Sequence, residues 1–498
     1  MKLSIRSPRR RKFTALSFGT LVALAALGAA HSPLAFAQLA APDGGAPVDA
    51  AAPSPDTRPV PITVLTTSPA VARGLIFVTP TSAAPQAVEG PEIIDGQARP
   101  VWFKPLPAGT TAYDFRVQEY RHEPVVTWIE SQGAFSTGPT TAYIADRHYH
   151  VIATVSAGNG LTADIHEFHL TRAGTALLSA YNTVSRDLSS VGGPSGGLVT
   201  EGVIQEIDVA NGHVLFEWHS LAHIGLDESH SPVSTSPTVA WDYFHLNAIS
   251  IDEDGNLLVG ARNTWAAYRV DRHSGAVLWR LGGTKSDFAL GPNVAFAWQH
   301  NPTVADEHGL IRIFDNEASP TVLPYSRVIW VRHDDRRKTA TLERWFKHPD
   351  GLLAGSQGNA EALDNGDTFV DWGALPRFSE FDRDNNLVFD AAFPAGYNSY
   401  RAYRYEWVGE PETVPTATAA ISDAGDTTVH AIWNGATEVA RWEVFEVSGR
   451  REVRVAEGAW NGYDTTLEVS EPLSSIVVVA RDRRGLEIGR SIATTVTQ

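Results

Sequence analysis

The sequence predicts an all-β protein: a β-propeller of about six blades followed by a small β-sandwich. Across residues 61–408, apolar residues alternate in short runs, and a helical period is rarely sustained. Gly, Asn and Asp turns separate these runs, and the 498 residues include 41 Gly, 30 Pro and 14 Trp. Such a composition is typical of many short strands and turns rather than of a helical bundle.

Composition excludes several classes of function. The net charge of −17 argues against non-specific binding to nucleic acids or to anionic membranes. The chain has no cysteine, which excludes disulfides, thiolate metal sites, catalytic thiols and iron–sulfur clusters. Any chemistry must therefore come from His, Arg, Asp, Glu, Ser or Tyr.

Residues 1–37 are predicted to be an export signal, with a membrane anchor as the alternative. A basic stretch, an apolar run and an A-x-A cleavage motif follow one another at Arg9–Lys12, Phe13–Ala30 and Ala35–Ala37. The order Arg10-Arg11-x-Phe13 fits the core of a twin-arginine signal. No later apolar run approaches the ~20 residues that span a bilayer, so we expect a periplasmic or secreted protein without a membrane segment after cleavage. Residues 38–60, rich in Ala and Pro, are predicted to be a disordered linker.

A strand–turn–strand unit recurs within residues 61–408, the predicted propeller. Four copies start 55–79 residues apart, at His166–Leu178, His245–Val259, His300–Ile313 and Gly358–Val370. A second hairpin follows two of them, at Asp208–Trp218 and Asp271–Trp279. Two hairpins make one four-stranded blade, which predicts a propeller whose blades carry insertions.

Residues 409–498 have a different character. Compact alternating strands are predicted, for example at Thr427–Trp433, Ala440–Phe445 and Ser475–Ala480. About seven such strands suit a small sandwich of fibronectin or immunoglobulin type. The segment has no cluster of catalytic residue types, so we interpret it as an accessory domain.

Three histidines occupy the same place in the repeat. If the first strand of each blade lines the channel, then His166, His245 and His300 meet at one mouth, and Arg262 can reach it. A neutral imidazole can attack sulfur or phosphorus, other histidines move protons, and a guanidinium holds the oxyanion. The alternative is that each histidine only bonds turn backbone. A metal site is disfavoured because Arg262 would repel a cation.

Seven segments, in order over about residues 120–408, resemble the arylsulfotransferase family. They are Asp164–Phe168, Trp241–Ile249, Leu278–Gly283, Trp298–His300, Ile313–Asn316, Gly355–Asn359 and Ser399–Tyr403.

The resemblance implies a six-bladed propeller that transfers a sulfuryl group between phenols without the nucleotide donor PAPS, and hence without a cofactor. It implies that His300 is the nucleophile, that His166 and His245 move protons, and that Arg262 holds the sulfate. Gln357 and Asn359 are candidate substrate-binding residues, with a structural role as the alternative. The implied partners are an aryl sulfate donor and a phenolic acceptor; the sequence gives no oligomeric state.

Two other functions remain open from the sequence alone. Asp271–Trp279 resembles the tryptophan-docking segment of quinoprotein dehydrogenases, although it is also a generic blade hairpin. A secreted, non-catalytic propeller that binds a ligand at its channel mouth is the third alternative.

Overall fold

The computed structural model describes residues 58–133 and 138–498, which are built almost entirely of β-strands. The predicted signal and nearly all of the predicted linker lie outside these residues. Helical structure in the described part of the chain consists of four short 3-10 turns, at Ser189–Val191, Ser220–Ala222, Leu226–Glu228 and Arg262–Thr264. The prediction of an all-β protein is therefore confirmed.

The predicted propeller region begins with five short strands: β1 (Thr63–Thr67), β2 (Leu75–Val78), β3 (Pro80–Ser82), β4 (Glu92–Ile94) and β5 (Pro100–Phe103). Sheet A holds β6 (Thr110–Tyr120), β7 (Glu123–Gln132), β8 (Thr140–Ala145) and β9 (Val151–Val155). Sheet B holds β10 (Thr162–Leu170), β11 (Thr175–Arg186), β12 (Gly197–Asp208), β13 (Val214–His219) and the parallel β14 (Trp241–Asp242).

Sheet C holds β15 (Leu246–Ile251), β16 (Leu257–Ala261), β17 (Ala266–Val270) and β18 (Val277–Gly282). Sheet D holds the parallel β19 (Ala289–Leu290) with β20 (His300–Val304), β21 (Leu310–Asp315), β22 (Arg327–Asp334) and β23 (Thr339–Phe346). Sheet E holds β24 (Asn359–Ala362), β25 (Thr368–Asp371), β26 (Arg377–Phe381) and β27 (Leu387–Ala392). Two strands follow, β28 (Tyr397–Ser399) and β29 (Tyr403–Tyr405).

The two ends of this region are joined by strand pairing. Strand β1 adds to β27 at the edge of sheet E. Sheet F has the order β29-β2-β4-β5, so that one strand from the end of the region completes three from its beginning. A separate pair, β3 with β28, adds a further link. Strands that are distant in the sequence therefore pair with one another here. Such pairing is needed where sheets close into a ring.

The six sheets contact one another in a cycle. The first strands of sheets A to E meet in order, β6 with β10, β10 with β15, β15 with β20 and β20 with β24, and sheet F then contacts both β25 and β6. A buried apolar cluster fills each of the six junctions. Burying one large apolar side chain contributes about 1.5–3 kcal/mol, so these clusters hold neighbouring sheets together.

The predicted hairpins are confirmed. The four first hairpins are β10–β11, β15–β16, β20–β21 and β24–β25, and the two second hairpins are β12–β13 and β17–β18. Two hairpins form all of sheet C and the four antiparallel strands of sheet B. The segment Asp271–Trp279 is the turn and outer strand of the second hairpin in sheet C.

The C-terminal strands form two further sheets. They are β30 (Thr416–Ile421), β31 (Thr427–Ile432), β32 (Arg441–Ser448), β33 (Arg451–Ala459), β34 (Asp464–Val469), β35 (Ser475–Arg481), β36 (Glu487–Arg490) and β37 (Thr494–Thr495). One sheet has the order β30-β31-β34 and the other β33-β32-β35-β36, with β37 on β35. A core that includes Trp442 lies between them. Asn434 joins this part to sheet F, since its amide donates to and accepts from the backbone of Phe103 at 2.9 Å.

Candidate active site

Three histidines meet at one end of the ring. The ring centroids of His166 and His245 are 4.9 Å apart, and those of His245 and His300 are 6.5 Å apart. His166 lies on β10, His245 directly precedes β15, and His300 begins β20. They share a cavity of about 300 Å³, whose lining is Asp164, Ile165, His166, Tyr181, Asp242, His245, Arg262, His300, Ser356, Gln357 and Tyr400.

Irregular backbone turns these side chains toward the cavity. The register of β10 against β11 shifts between Ala163 and Phe168, and that of β20 against β21 shifts just after His300. A bulge re-aims a side chain that a regular strand would place on one face of the sheet. His245 has a left-handed backbone, with φ of 56°, and its N–H donates to Asp242 Oδ1 at 3.0 Å. Such strain concentrates at functional sites.

Two of the histidines are paired with carboxylates. His166 Nδ1 bonds Asp164 Oδ2, and the same oxygen accepts from the Ser179 hydroxyl at 3.2 Å. His245 Nδ1 bonds Asp242 Oδ2 at 2.5 Å. A carboxylate on Nδ1 fixes the orientation of the ring, while Nε2 stays available for proton transfer.

His300 has a different environment. Its Nδ1 bonds Asn316 Oδ1 at 2.8 Å, and its Nε2 accepts the backbone N–H of Gln357 at 3.1 Å. Burial and the positive charge of Arg262 lower the pKa of His300 well below its usual 6.5, against the opposing effect of the Asn316 hydrogen bond. The imidazole is therefore neutral at physiological pH, as a nucleophile must be.

Arg262 is held at the cavity with part of its guanidinium unused. Nη1 donates to Asn263 Oδ1 at 2.9 Å, Nη2 donates to the Gly355 carbonyl at 3.3 Å, and the group lies 4.8 Å from the Trp298 ring centroid. Its Nε is buried without a hydrogen-bond partner. A buried, unsatisfied donor beside three histidines suits an anionic ligand.

Two tyrosines give the cavity aromatic walls. The hydroxyl of Tyr181 donates to the Leu246 carbonyl at 2.9 Å, and that of Tyr400 donates to the His166 carbonyl at 3.3 Å. Burial raises the pKa of both phenols, so they stay neutral. Their rings offer apolar surface on which an aryl group can pack.

Gln357 and Asn359 have different positions. Gln357 lines the cavity with φ of 65°, and its buried Oε1 has no hydrogen-bond partner. Asn359 is not among the residues that line the cavity. Its amide donates to the Ala402 carbonyl at 3.0 Å and accepts the Ala402 N–H at 3.1 Å, which ties sheet E to the residue directly before β29.

A buried ion network supports the site from within the ring. The Arg401 guanidinium donates to Asp114 at 3.0 Å, to Glu167 at 3.2 Å and to the Asn247 carbonyl at 2.9 Å. Burial opposes ionisation of Glu167, but Arg401 and Arg116 outweigh it and lower its pKa. One arginine thus fixes the residues that follow His166 and His245 in the chain.

The structure brings to this site several residues that had no role predicted from the sequence. Asp164, Asp242, Asn316 and Tyr400 all lie in segments that carry the family resemblance, and the carboxylates lie two or three residues before a histidine. The spacing of each carboxylate from the histidine after it was the sequence signal that could have identified Asp164 and Asp242. Tyr181 lies outside those segments and had none.

The described residues contain no group of three or more His, Asp or Glu side chains arranged to hold a metal ion. In the same ranges, no helix has the length and apolar character needed to cross a membrane.

Comparison with known proteins gives a family match. The family model described as arylsulfotransferase (ASST) matches residues 116–394, more than half of the chain. No curated protein sequence matches significantly.

Among solved structures, a Bacteroides caccae protein of unknown function has 14% identity and a TM-score of 0.40, over 66% of this chain and 98% of its own. A catalytically inactive virginiamycin B lyase from Staphylococcus aureus, with quinupristin, has 10% identity and a TM-score of 0.34, over 74% and 95%. Regucalcin from Agrobacterium tumefaciens, a calcium-binding protein, has 13% identity and a TM-score of 0.26, over 83% and 97%. At these scores the likenesses carry no functional conclusion.

Proposed function

Because the chain belongs to the arylsulfotransferase family, we propose that it transfers a sulfuryl group from a phenolic sulfate ester to an acceptor phenol. The observation that carries the proposal is a buried, neutral His300 in the same cavity as an incompletely paired Arg262 and two carboxylate-bound histidines. This combination supplies a nucleophile, an oxyanion site and proton carriers.

The first half-reaction sulfates the protein. The hydrogen bond from the Gln357 N–H to Nε2 of His300 first opens and frees the lone pair. Nε2 then attacks sulfur, a nitrogen–sulfur bond forms, and the bond from sulfur to the phenolic oxygen breaks. The electron pair leaves with that oxygen, which takes a proton from His166 or His245. An acceptor phenol then gives its proton to a histidine and attacks the same sulfur, so that His300 is regenerated.

Arg262 stabilises the charge on the sulfuryl oxygens. His166 and His300 of the lining are buried, and a preorganised guanidinium in such a buried site is worth more than in bulk solvent. The aromatic walls, Tyr181 and Tyr400, pack against the aryl group of the donor or acceptor. A cavity of about 300 Å³ lies at the small end of ligand pockets, which favours single-ring phenols.

The proposal includes the architecture and the location. We interpret sheets A to F as six propeller blades around the channel that holds the histidines, with the predicted limits of residues 61–408. We interpret residues 409–498 as a fibronectin- or immunoglobulin-like accessory sandwich. The signal predicted at residues 1–37 would deliver the protein to the periplasm or outside the cell.

Steady-state kinetics tests the activity. We expect purified protein to release nitrophenol from 4-nitrophenyl sulfate faster when phenol is added, with the parallel double-reciprocal lines of ping-pong kinetics. No release with or without phenol, from folded protein and several aryl sulfates, would contradict the proposal.

A further inference from the structure

The three histidines differ in the group that bonds Nδ1. His166 and His245 face carboxylates, whereas His300 faces the side-chain amide of Asn316. An ionised carboxylate attracts a proton strongly, but an amide oxygen only accepts a hydrogen bond and has little basicity. Within one cavity, Nδ1 therefore has a carboxylate partner in two histidines and an amide partner in the third.

The orientation of the Asn316 amide is fixed. Its Nδ2 donates to the carbonyls of Ala354 and Gln357, at 3.2 and 3.0 Å, so Oδ1 must be the atom that faces His300. An oxygen acceptor requires a proton on His300 Nδ1. At the other side of the ring, the Gln357 N–H donates into Nε2, which must therefore carry the lone pair. Both contacts select the same tautomer.

We propose that Asn316 is the positioning residue that makes His300 a reversible sulfuryl carrier, and this rests on the proposed function. It holds the proton on Nδ1, so that Nε2 is the nitrogen that attacks. It also leaves the sulfated ring free to give up its sulfuryl group.

The second effect follows from the charge on the intermediate. After attack, His300 carries the sulfuryl group on Nε2 and a proton on Nδ1, so the ring is positive. A positive ring is a good leaving group when an acceptor phenol attacks sulfur. A carboxylate in place of the amide would neutralise the ring, strengthen the nitrogen–sulfur bond and slow the discharge.

The test separates the two half-reactions of N316D. Rapid mixing with 4-nitrophenyl sulfate measures sulfation, and phenol added to sulfated protein measures discharge. We expect discharge to slow by about 10- to 100-fold, the usual effect of changing a supporting hydrogen-bond partner. Sulfation should slow much less, so that sulfated protein accumulates. Equal slowing of both steps, or unchanged discharge, would overturn the proposal.

A matched control is N434D, which makes the same change at a buried amide that bonds only the Phe103 backbone. Its ratio of sulfation to discharge should equal that of the unaltered protein. Unaltered protein that never becomes sulfated would count against the proposed function instead.

A second measurement needs no substrate and no substitution at Asn316. The ¹⁵N NMR spectrum of histidine-labelled protein, assigned for His300 with H300A, should show a protonated Nδ1 and an unprotonated Nε2 at neutral pH. A proton on Nε2 would overturn the role of Asn316, even if N316D failed to fold.

Discussion

Replacing Arg262 by glutamine should slow sulfation of the protein by about 10³-fold. A guanidinium has five N–H groups. Asn263 and the Gly355 carbonyl each occupy one, which leaves three for sulfuryl oxygens, including the buried, unpartnered Nε. Loss of a single donor that stabilises developing charge costs about 3–4 kcal/mol, or 10²–10³ in rate, and glutamine also removes the positive charge.

The assay is single-turnover release of nitrophenol from 4-nitrophenyl sulfate, followed by stopped flow. The control is R269Q on the same sheet, because Arg269 pairs with Asp252 and Asp254 beyond the other end of β15. R269Q should sulfate at nearly the rate of the unaltered protein. The oxyanion role of Arg262 is refuted if R262Q, shown to be folded, reacts as fast as R269Q.

Three further outcomes are expected. Burial and Arg262 lower the pKa of His300. As the pH falls below 6.5, His300 therefore binds a proton in the unfolded chain but not in the folded chain. The free energy of unfolding should therefore decrease in acid, by up to about 1.4 kcal/mol per pH unit from this group. H300Q should flatten that slope in denaturant titrations; equal slopes would contradict the burial argument. Replacing Tyr181 by alanine should raise KM for aryl donors, whereas phenylalanine should keep it nearly unchanged, which steady-state kinetics can check. Replacing Asn434 by alanine should lower the free energy of unfolding by about 1–3 kcal/mol, because two buried hydrogen bonds to Phe103 are lost. The sulfation rate should stay unchanged, because neither residue lines the cavity.

The hairpins could be predicted because their signals are local. Alternating apolar residues and a turn glycine specify a strand pair within about fifteen residues, as at Gly174 between β10 and β11. Ring closure has no local signal. Strand β2 pairs with β29 across more than 300 residues, and β1 joins β27 at a sheet edge. Such pairings depend on how the sheets pack, so the sequence alone does not specify them.

The histidine cluster could be predicted from the shared place of the three residues in the repeat, but the chemistry of His300 could not. The tautomer of His300 depends on Asn316, which reaches it from the end of the adjacent strand. Gln357 and Asn359 lie in one segment of the sequence, yet Gln357, which has a left-handed backbone, lines the cavity, whereas Asn359 bonds the Ala402 backbone. When a residue other than glycine adopts a left-handed backbone, the residue type does not indicate it.

The measurement that tests the central claim most directly is the intact mass of protein mixed with 4-nitrophenyl sulfate in the absence of an acceptor, followed by peptide mapping. The proposed mechanism predicts a gain of one sulfuryl group on His300, loss of that mass when phenol is added, and no gain for H300A. A sulfuryl group on another residue, or turnover by H300A at the rate of the unaltered protein, would contradict it.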